Sequence, residues 1–266
     1  MKLVDILVFT NNHKNFLYRC LVSIKNQSYK KINVILFDNN RSKTISEKIL
    51  ALVNEYHHCP KIRGPSSLRN YGISKAKNEF IAFIDGDDFW DKNKIQMQLN
   101  KILNYKDSLI YTRIYSHFNG KNILDNRKLY SGNLFKKLIY KEVSITGSMS
   151  GIMINKKMLR KLKQKYGTYF NKNLDYCEDY DFFIKISTLY NFIYIDKPLV
   201  YINIYETSHQ SKFDNYQRTN IKYKMIIDNL KLHKKDITKL LMLLITIKAK
   251  LKIFIKYFFS KKIIKY

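Results

Sequence analysis

Phe80-Ile81-Ala82-Phe83-Ile84 runs directly into Asp85-Gly86-Asp87-Asp88. Five consecutive apolar residues read as a strand buried on both faces, as in a parallel sheet covered by helices. Three carboxylates around one glycine at its end repel each other unless a cation or a hydrogen-bonded ligand lies among them. Hard divalent cations take oxygen ligands of this kind, and Mg2+-type ions are held by one or two carboxylates together with substrate phosphates. Ligands of open α/β sheets bind beyond the carboxyl ends of the strands. Asp85 to Asp88 therefore stand where a metal–nucleotide is expected. The plain alternative is a helix start, with Asp88 or Asp91 capping a helix that begins near Lys92. Capping accounts for one or two of these acids and not for three.

Upstream, residues 3–9 read as a first strand, interrupted by the charge of Asp5. Residues 14–27 read as a helix, with Phe16, Leu17, Cys20, Leu21 and Ile24 at helical spacing. Residues 32–37 form a second buried strand closing on Asp38-Asn39-Asn40, and Ser42 is expected to cap a helix running to about Tyr56. A short segment at Lys61-Ile62 leads through the turn Gly64-Pro65-Ser66 into a helix over 67–75. The order β-α-β-α-β-α-β predicts an α/β fold with a mostly parallel sheet and right-handed crossovers. Asp38 and Asp85 then end two strands of one sheet and define a shared crevice.

Downstream, a helix is expected over 91–106 and a strand over 109–115, followed by an irregular stretch to Ser150. A short strand over 151–154, a helix over 156–166 and a helix opened by Cys177-Glu178-Asp179-Tyr180-Asp181 come next. Strands are expected over 192–195 and 199–204. In the tail, Leu240, Leu244, Ile247, Leu251, Phe254 and Phe258 recur in steps of four and three, flanked by Lys248, Lys252 and Lys256. Such a basic amphipathic helix lies in a membrane interface, or packs on the domain or a second subunit. The closing Lys261-Lys262 and Lys265 favour lipid.

Bulk properties bound these readings. The chain has 266 residues, 45% of them hydrophobic, with Tyr 21 and Phe 16 to fill a core. That length supports one substantial domain, or one domain with an appendage. Cys20, Cys59 and Cys177 show no ligand spacing and read as reduced thiols. The first strand starts at once, so no signal peptide is expected, and no apolar run approaches a membrane span. The charge is +28, from 49 basic and 21 acidic residues. Lysines are scattered rather than gathered, which favours compositional bias with some attraction to anionic membrane over a specific nucleic-acid partner.

Taken together, from the first strand to about Ser211, the chain resembles the family 2 glycosyltransferases of the GT-A fold. The resemblance rests on Thr10-Asn11-Asn12, Asn26-Gln27-Ser28-Tyr29, Asp38, Ser67-Leu68-Arg69-Asn70-Tyr71-Gly72-Ile73, Asp85-Gly86-Asp87-Asp88 and Glu178-Asp179, in that order. It implies an α/β GT-A domain over 1–211, with a nucleotide-sugar half (1–115) and an acceptor half (116–211), followed by basic amphipathic helices over 212–266. It implies an inverting hexosyl- or N-acetylhexosaminyltransferase that uses a UDP-sugar and Mn2+ or Mg2+. The acceptor would be a surface glycan or glycolipid, such as lipooligosaccharide or capsule, and the enzyme would sit on the inner face of the membrane.

By the same resemblance, Asp38 would bind the base beside Thr10, and Asp85 the ribose. Asp87 would hold the metal with Asp88 nearby, and Arg69 would support the phosphate side. Asp179 would be the general base, although its residue type and position also suit helix capping, and Glu178 and Asp181 compete for either role. The chain departs from the family pattern at three places. Asn39 and Asn40 follow Asp38 where a second acid is usual, Lys185 follows the base motif where Arg is common, and Tyr205 stands where His is expected, with His209 four residues later. The rival readings are a sugar-1-phosphate nucleotidyltransferase, a sugar-nucleotide binder without turnover, and a basic nucleic-acid-binding protein. The first lacks a glycine-rich loop at Thr10-Asn11-Asn12-His13, and the last gives Asp38, Asp85 and Asp87 no role.

Overall fold

Strand β1 (Val4–Thr10) is buried along its whole length. The computed structural model describes residues 2–11, 14–42, 45–146, 148–174, 176–205, 214–233 and 239–262. Helix α1 (Lys14–Lys25) leads to β2 (Ile32–Asp38), the short helix α2 (Glu47–Leu50), β3 (Glu55–His58), α3 (Pro65–Lys75) and β4 (Phe80–Asp85). The chain continues through β5 (Phe89–Trp90), α4 (Lys94–Asn104), β6 (Ser108–Phe118), β7 (Lys121–Leu124), β8 (Ile152–Asn155), α5 (Lys156–Tyr166), α6 (Glu178–Ser187) and β9 (Asn191–Asn203). Helices α7 (Asn215–Leu232) and α8 (Lys239–Lys262) close it.

These strands form one sheet in the order β3-β2-β1-β4-β8-β6-β9-β5, with β7 paired to β6. The strands from β3 to β4 run parallel, β8 is antiparallel to both β4 and β6, and β6 and β9 are parallel. Alternate residues of β1 serve two cores: Leu7 and Phe9 face one, and Val4, Ile6 and Val8 the other. Burial on both faces is what a continuous apolar run in a parallel strand implies.

The charge inside β1 is accounted for locally. Asp5 is fully buried. Its carboxylate accepts from Asn33 Nδ2 at 2.9 Å, Asn78 Nδ2 at 2.7 Å, and the backbone amides of Lys77 and Asn78 at 2.7 Å each. Four donors repay the loss of water and tie the α3–β4 turn to the start of the sheet.

Four expectations change. The helix expected from Ser42 to Tyr56 is only the single turn α2, followed by β3. Asn54 bonds Val34 through both its backbone amide (2.8 Å) and its side chain (2.9 Å), which draws the chain onto the free edge of β2. The third strand is therefore Glu55–His58, not the segment at Lys61-Ile62. The helix expected from Asp91 begins at Lys94, because Phe89 and Trp90 pair antiparallel with Tyr201 and Val200. The two strands expected at 192–195 and 199–204 are one strand, β9, whose register against β6 shifts where Pro198 lies opposite Arg113. Proline has no amide to donate to the ladder.

The last two helices pack on the domain. Tyr223, Met225, Ile226 and Leu230 of α7, with Ile245 and Ala249 of α8, join the core that includes α6. Glu142 fastens them, with Lys222 at 2.8 Å, Lys248 at 2.9 Å, Lys252 at 3.2 Å and Tyr223 Oη at 2.6 Å. The stripe read from the sequence is a different face of α8. Leu244, Ile247, Leu251 and Phe254 are 53–61% exposed. Among the described residues no helix is long and apolar enough to cross a membrane.

Asp5→Ala strips two backbone amides and two side-chain amides of their buried acceptor. Urea denaturation should show a loss of at least ~2 kcal/mol, since each unsatisfied buried donor costs about 1–3 kcal/mol.

Candidate active site

The parallel register places Thr10 opposite Asp38 and Phe9 opposite Asp85. The carboxyl ends of β2, β1 and β4 thus meet at one edge of the sheet. Gly86 holds the β4 turn against β1: its amide donates to Phe9 O at 2.7 Å, and a Cβ there would lie 3.0 Å from Thr10 Cβ. Gly72 of α3 permits a similar approach, since a Cβ would stand 2.7 Å from the Phe9 ring. Thr10 Oγ1 is buried in this packing without a hydrogen-bond partner among the described residues.

Arg69 is the centre of the arrangement. Gly64, in the left-handed region at φ 77°, turns the chain into α3, and Pro65 opens the helix. One turn later Arg69 is 6% exposed. Its Nη2 reaches Asp85 Oδ1 at 3.1 Å, while Nη1 reaches Glu178 Oε1 at 2.8 Å and Asp179 Oδ1 at 3.0 Å. Burial on its own lowers the pKa of the guanidinium, but Asp179, Asp85 and Glu178 outweigh it and hold the charge firmly. The guanidinium also lies 5.7 Å from the Phe170 ring centroid, within cation–π range.

The carboxylates take different surroundings. Asp88 points inward, 3% exposed, with Oδ2 accepting from Ser150 Oγ at 2.6 Å and Ser148 Oγ at 3.2 Å. Burial, then Asp87 and Asp85, push its carboxyl well above the usual range. Asp87 Oδ2 accepts from Tyr205 Oη at 2.7 Å, and its carbonyl accepts from Asn203 Nδ2. Asn203 cannot turn its amide over, because Arg19 Nη2 donates to its Oδ1 at 2.7 Å. Arg19 in turn lies 4.0 Å over the Phe89 ring. Asp38 is fully buried, with Oδ1 accepting from the Asn40 amide at 2.9 Å and Oδ2 from Tyr56 Oη at 2.9 Å. Asn39, at the position of the missing second acid, turns away and ties down the carbonyls of Cys59 (2.6 Å) and Ile62 (2.7 Å).

On the opposite wall, Cys177 adopts φ 64° and turns the chain so that α6 opens with Glu178, Asp179 and Asp181. Asp179 joins Arg69. Its carboxyl is pushed up to about 7, chiefly by burial, with Arg69 opposing and Glu178 and Asp85 adding to the rise. Asp181 faces away from the crevice. It is 1% exposed, paired with Lys185 at 2.7 Å and with Asn229 Nδ2 at 2.8 Å. Asp181, through Asn229, thus fastens α6 to α7, and Lys185 balances its charge within α6. His209 lies outside the described residues.

Among the seven residues singled out in the sequence, Arg69, Asp85 and Asp179 meet directly. Asp87 and Asp88 flank them, and Thr10 and Asp38 line the adjacent strand ends. Sequence reasoning missed Ser148, Ser150, Arg19 and Asn203. The small-residue run from Ser148 to Gly151 was the available sign of close packing; Arg19 and Asn203 carried none.

The donor set suits a hard divalent cation. Asp85, Glu178 and Asp179 meet at Arg69, and Asp87 and Asp88 follow Asp85 in the same turn. Among the described residues, no three His, Cys, Asp or Glu side chains form a ready metal cage. A cation held by one or two carboxylates, with substrate phosphates completing its shell, fits that pattern.

The glycosyl transferase family 2 profile matches residues 5–163, and the chain belongs to that family. An uncharacterized glycosyltransferase of Haemophilus influenzae is 30% identical over 152 residues, which covers 51% of this chain and 60% of that protein. The Escherichia coli UDP-Glc:alpha-D-GlcNAc-diphosphoundecaprenol beta-1,3-glucosyltransferase WfaP is 29% identical over 123 residues, 43% of this chain and 47% of that one. An uncharacterized glycosyltransferase of Rickettsia bellii is matched over only 20% of its length. The chain thus spans less than two thirds of these relatives. The crystal structure of S. aureus TarS 1-349 in complex with UDP-GlcNAc superposes with a TM-score of 0.71 at 19% identity, covering 95% of this chain and 72% of that one. The fold is therefore that of the GT-A glycosyltransferases.

Replacing Arg69 by Met strands three carboxylates beside an apolar side chain. Denaturation at neutral pH should show a loss of about 3–5 kcal/mol, the cost of breaking a buried pair. The loss should shrink as the pH falls and those carboxylates protonate.

Proposed function

We propose that the protein is an inverting, metal-dependent glycosyltransferase that transfers a hexosyl or N-acetylhexosaminyl group from a UDP-sugar to a hydroxyl of a lipid-linked surface glycan, of the lipooligosaccharide or capsule type. The observation that carries this reading is the Arg69 bridge, which sets Asp85 at a strand end and Asp179 at a helix start on two sides of one crevice. The UDP-GlcNAc complex of TarS and the UDP-Glc donor and diphosphoundecaprenol-linked acceptor in the name of WfaP support the donor and acceptor classes.

In the reaction, the acceptor oxygen attacks the anomeric carbon as the bond to the β-phosphate oxygen breaks and UDP departs. Asp179 takes the acceptor proton. A carboxylate raised to about 7 is about half ionised at neutral pH and basic enough to accept it. Attack from the face opposite the leaving group inverts configuration. Arg69 orients Asp179 and opposes its protonation. Thr10 and Asp38 line the base side, and Asp85 the ribose side, with Asp88 bracing the turn from behind. Asp87 would hold Mn2+ or Mg2+, which supplies countercharge to the departing diphosphate. The exposed stripe of α8 rests in the headgroup region of an anionic membrane on the inner face of the cell envelope. Lys250 is exposed beside it.

Four measurements test this reading. A thermal-shift panel should show stabilisation by UDP and UDP-sugars with Mn2+, lost with chelator and in Asp87→Ala; no shift with any nucleotide would reject the donor assignment. For wild type, kcat/KM should climb as the pH rises through about 7 and then level, because the base must be deprotonated. Asp179→Asn should keep the donor-induced shift while turnover falls about 10²–10⁴-fold; unchanged turnover would exclude Asp179 as the base. Leu251→Glu/Phe254→Glu should reduce cosedimentation with anionic vesicles while sparing donor hydrolysis. Undiminished sedimentation would remove the membrane role of α8.

A further inference from the structure

A second basin lies along the outer side of α3, on the face opposite Arg69. It has a volume of about 600 Å3 and is walled by the β3–α3 loop, α3, the end of α5 and the loop that follows. That size is typical of a ligand site. Lys61 and Arg63 stand on one wall and Lys163 and Lys172 on the other, with no carboxylate among the described lining residues. None of these four cations forms an ion pair among the described residues. Elsewhere the exposed cations Lys2 and Lys77 meet carboxylates, Glu79 and Glu55.

The walls are built rather than loose. Asn70 of α3 and Phe170 of the facing loop bond reciprocally, side-chain amide to carbonyl and backbone amide to side-chain oxygen, at 2.9 Å each. Thr168 Oγ1 donates to the same Phe170 carbonyl at 2.9 Å. Asn39 pins the carbonyl of Ile62, between Lys61 and Arg63. Lys163 lies 5.5 Å from the Tyr169 ring centroid. Lys61, Arg63, Lys163 and Lys172 are exposed, and four like charges around one cavity focus a positive potential that draws an anion. Arg and Lys together suit phosphate, Arg as a planar fork and Lys as a point charge.

We propose that this basin binds a phosphate or diphosphate group, as a site separate from the donor crevice. Phe170 connects the two: its backbone closes the basin, and its ring lies against Arg69. A phosphorylated ligand seated there is held beside the catalytic wall without using the metal-binding acids.

Calorimetric titration of inorganic pyrophosphate into the full chain carrying Asp87→Ala, in chelator, isolates the basin from the donor site. Binding should persist there. It should weaken about tenfold or more in Lys163→Glu/Lys172→Glu, the loss expected when charge-assisted hydrogen bonds to phosphate are removed. Lys61→Gln/Arg63→Gln, on the other wall, should weaken it as well. Lys106→Glu/Lys121→Glu, the same charge change on exposed surface elsewhere, should leave it intact. Equal loss in that control pair, no loss in either wall variant, or no binding in Asp87→Ala would each overturn the proposal. Melting temperatures of the variants report that they are folded.

Phosphatidylcholine vesicles with and without farnesyl diphosphate separate the sources of the phosphate. A gain in cosedimentation that Lys163→Glu/Lys172→Glu loses supports a lipid-borne head group. Binding of pyrophosphate with no such gain supports a soluble ligand at the same site.

Discussion

The guanidinium of Arg69 touches both walls of the crevice. It bonds Asp85 at the end of β4 and Glu178 and Asp179 at the start of α6, although these residues are more than ninety positions apart. Taking Arg69 out of water is costly, and only good geometry with several acceptors recovers the cost. Three carboxylates supply that geometry. The same bonds set the spacing between the donor side and the proposed base, so local stability and catalytic alignment depend on one contact. Lysine, a single-point donor, cannot bridge the two walls as a planar fork does.

The acids of the Asp85–Asp88 turn would repel each other if they shared one environment, and the fold separates them. Asp85 faces Arg69, Asp87 faces Tyr205 and Asn203, and Asp88 turns inward to Ser148 and Ser150. Of these, Asp88 sits deepest, and its carboxyl is displaced well upward. Hydroxyl partners make that position tolerable. Gly86 makes the tight turn possible, because any side chain there would press on Thr10 and the Phe9 carbonyl. Asp87, the acid that would hold the cation in the proposed reaction, is braced from behind through Asn203 and Arg19.

Much of this was readable in the sequence where a single residue's surroundings follow from its own strand. Five apolar residues ending in Asp predict a buried parallel strand with acids at its carboxyl end, and β2 and β4 match that. Failures came where partners far along the chain decide. Asn54 bonding to Val34 turns an expected helix into strand β3, and nothing local to 42–56 signals it. Phe89-Trp90 becomes a strand only because β9 lies beside it. Asp181, read as a rival to Asp179, is set apart by Lys185 and by Asn229, which lies 48 residues later. The tail stripe was correctly seen as apolar, but its spacing could not show that Ile245 and Ala249, on another face, would do the packing.

Charge is distributed in a way that bears on how a ligand arrives. The chain carries +28 overall, yet three carboxylates converge on Arg69 in the crevice. A nucleoside diphosphate approaching such a protein is drawn by the surrounding field, since long-range potential follows net charge. At the crevice itself it meets acids, and in the proposed reaction only a cation held by Asp87 makes that last step favourable. The long-range attraction is screened over about 8–10 Å at physiological ionic strength, whereas the short-range contacts are not. Raising salt should therefore slow donor association without moving the metal requirement, so the two contributions separate by their salt dependence.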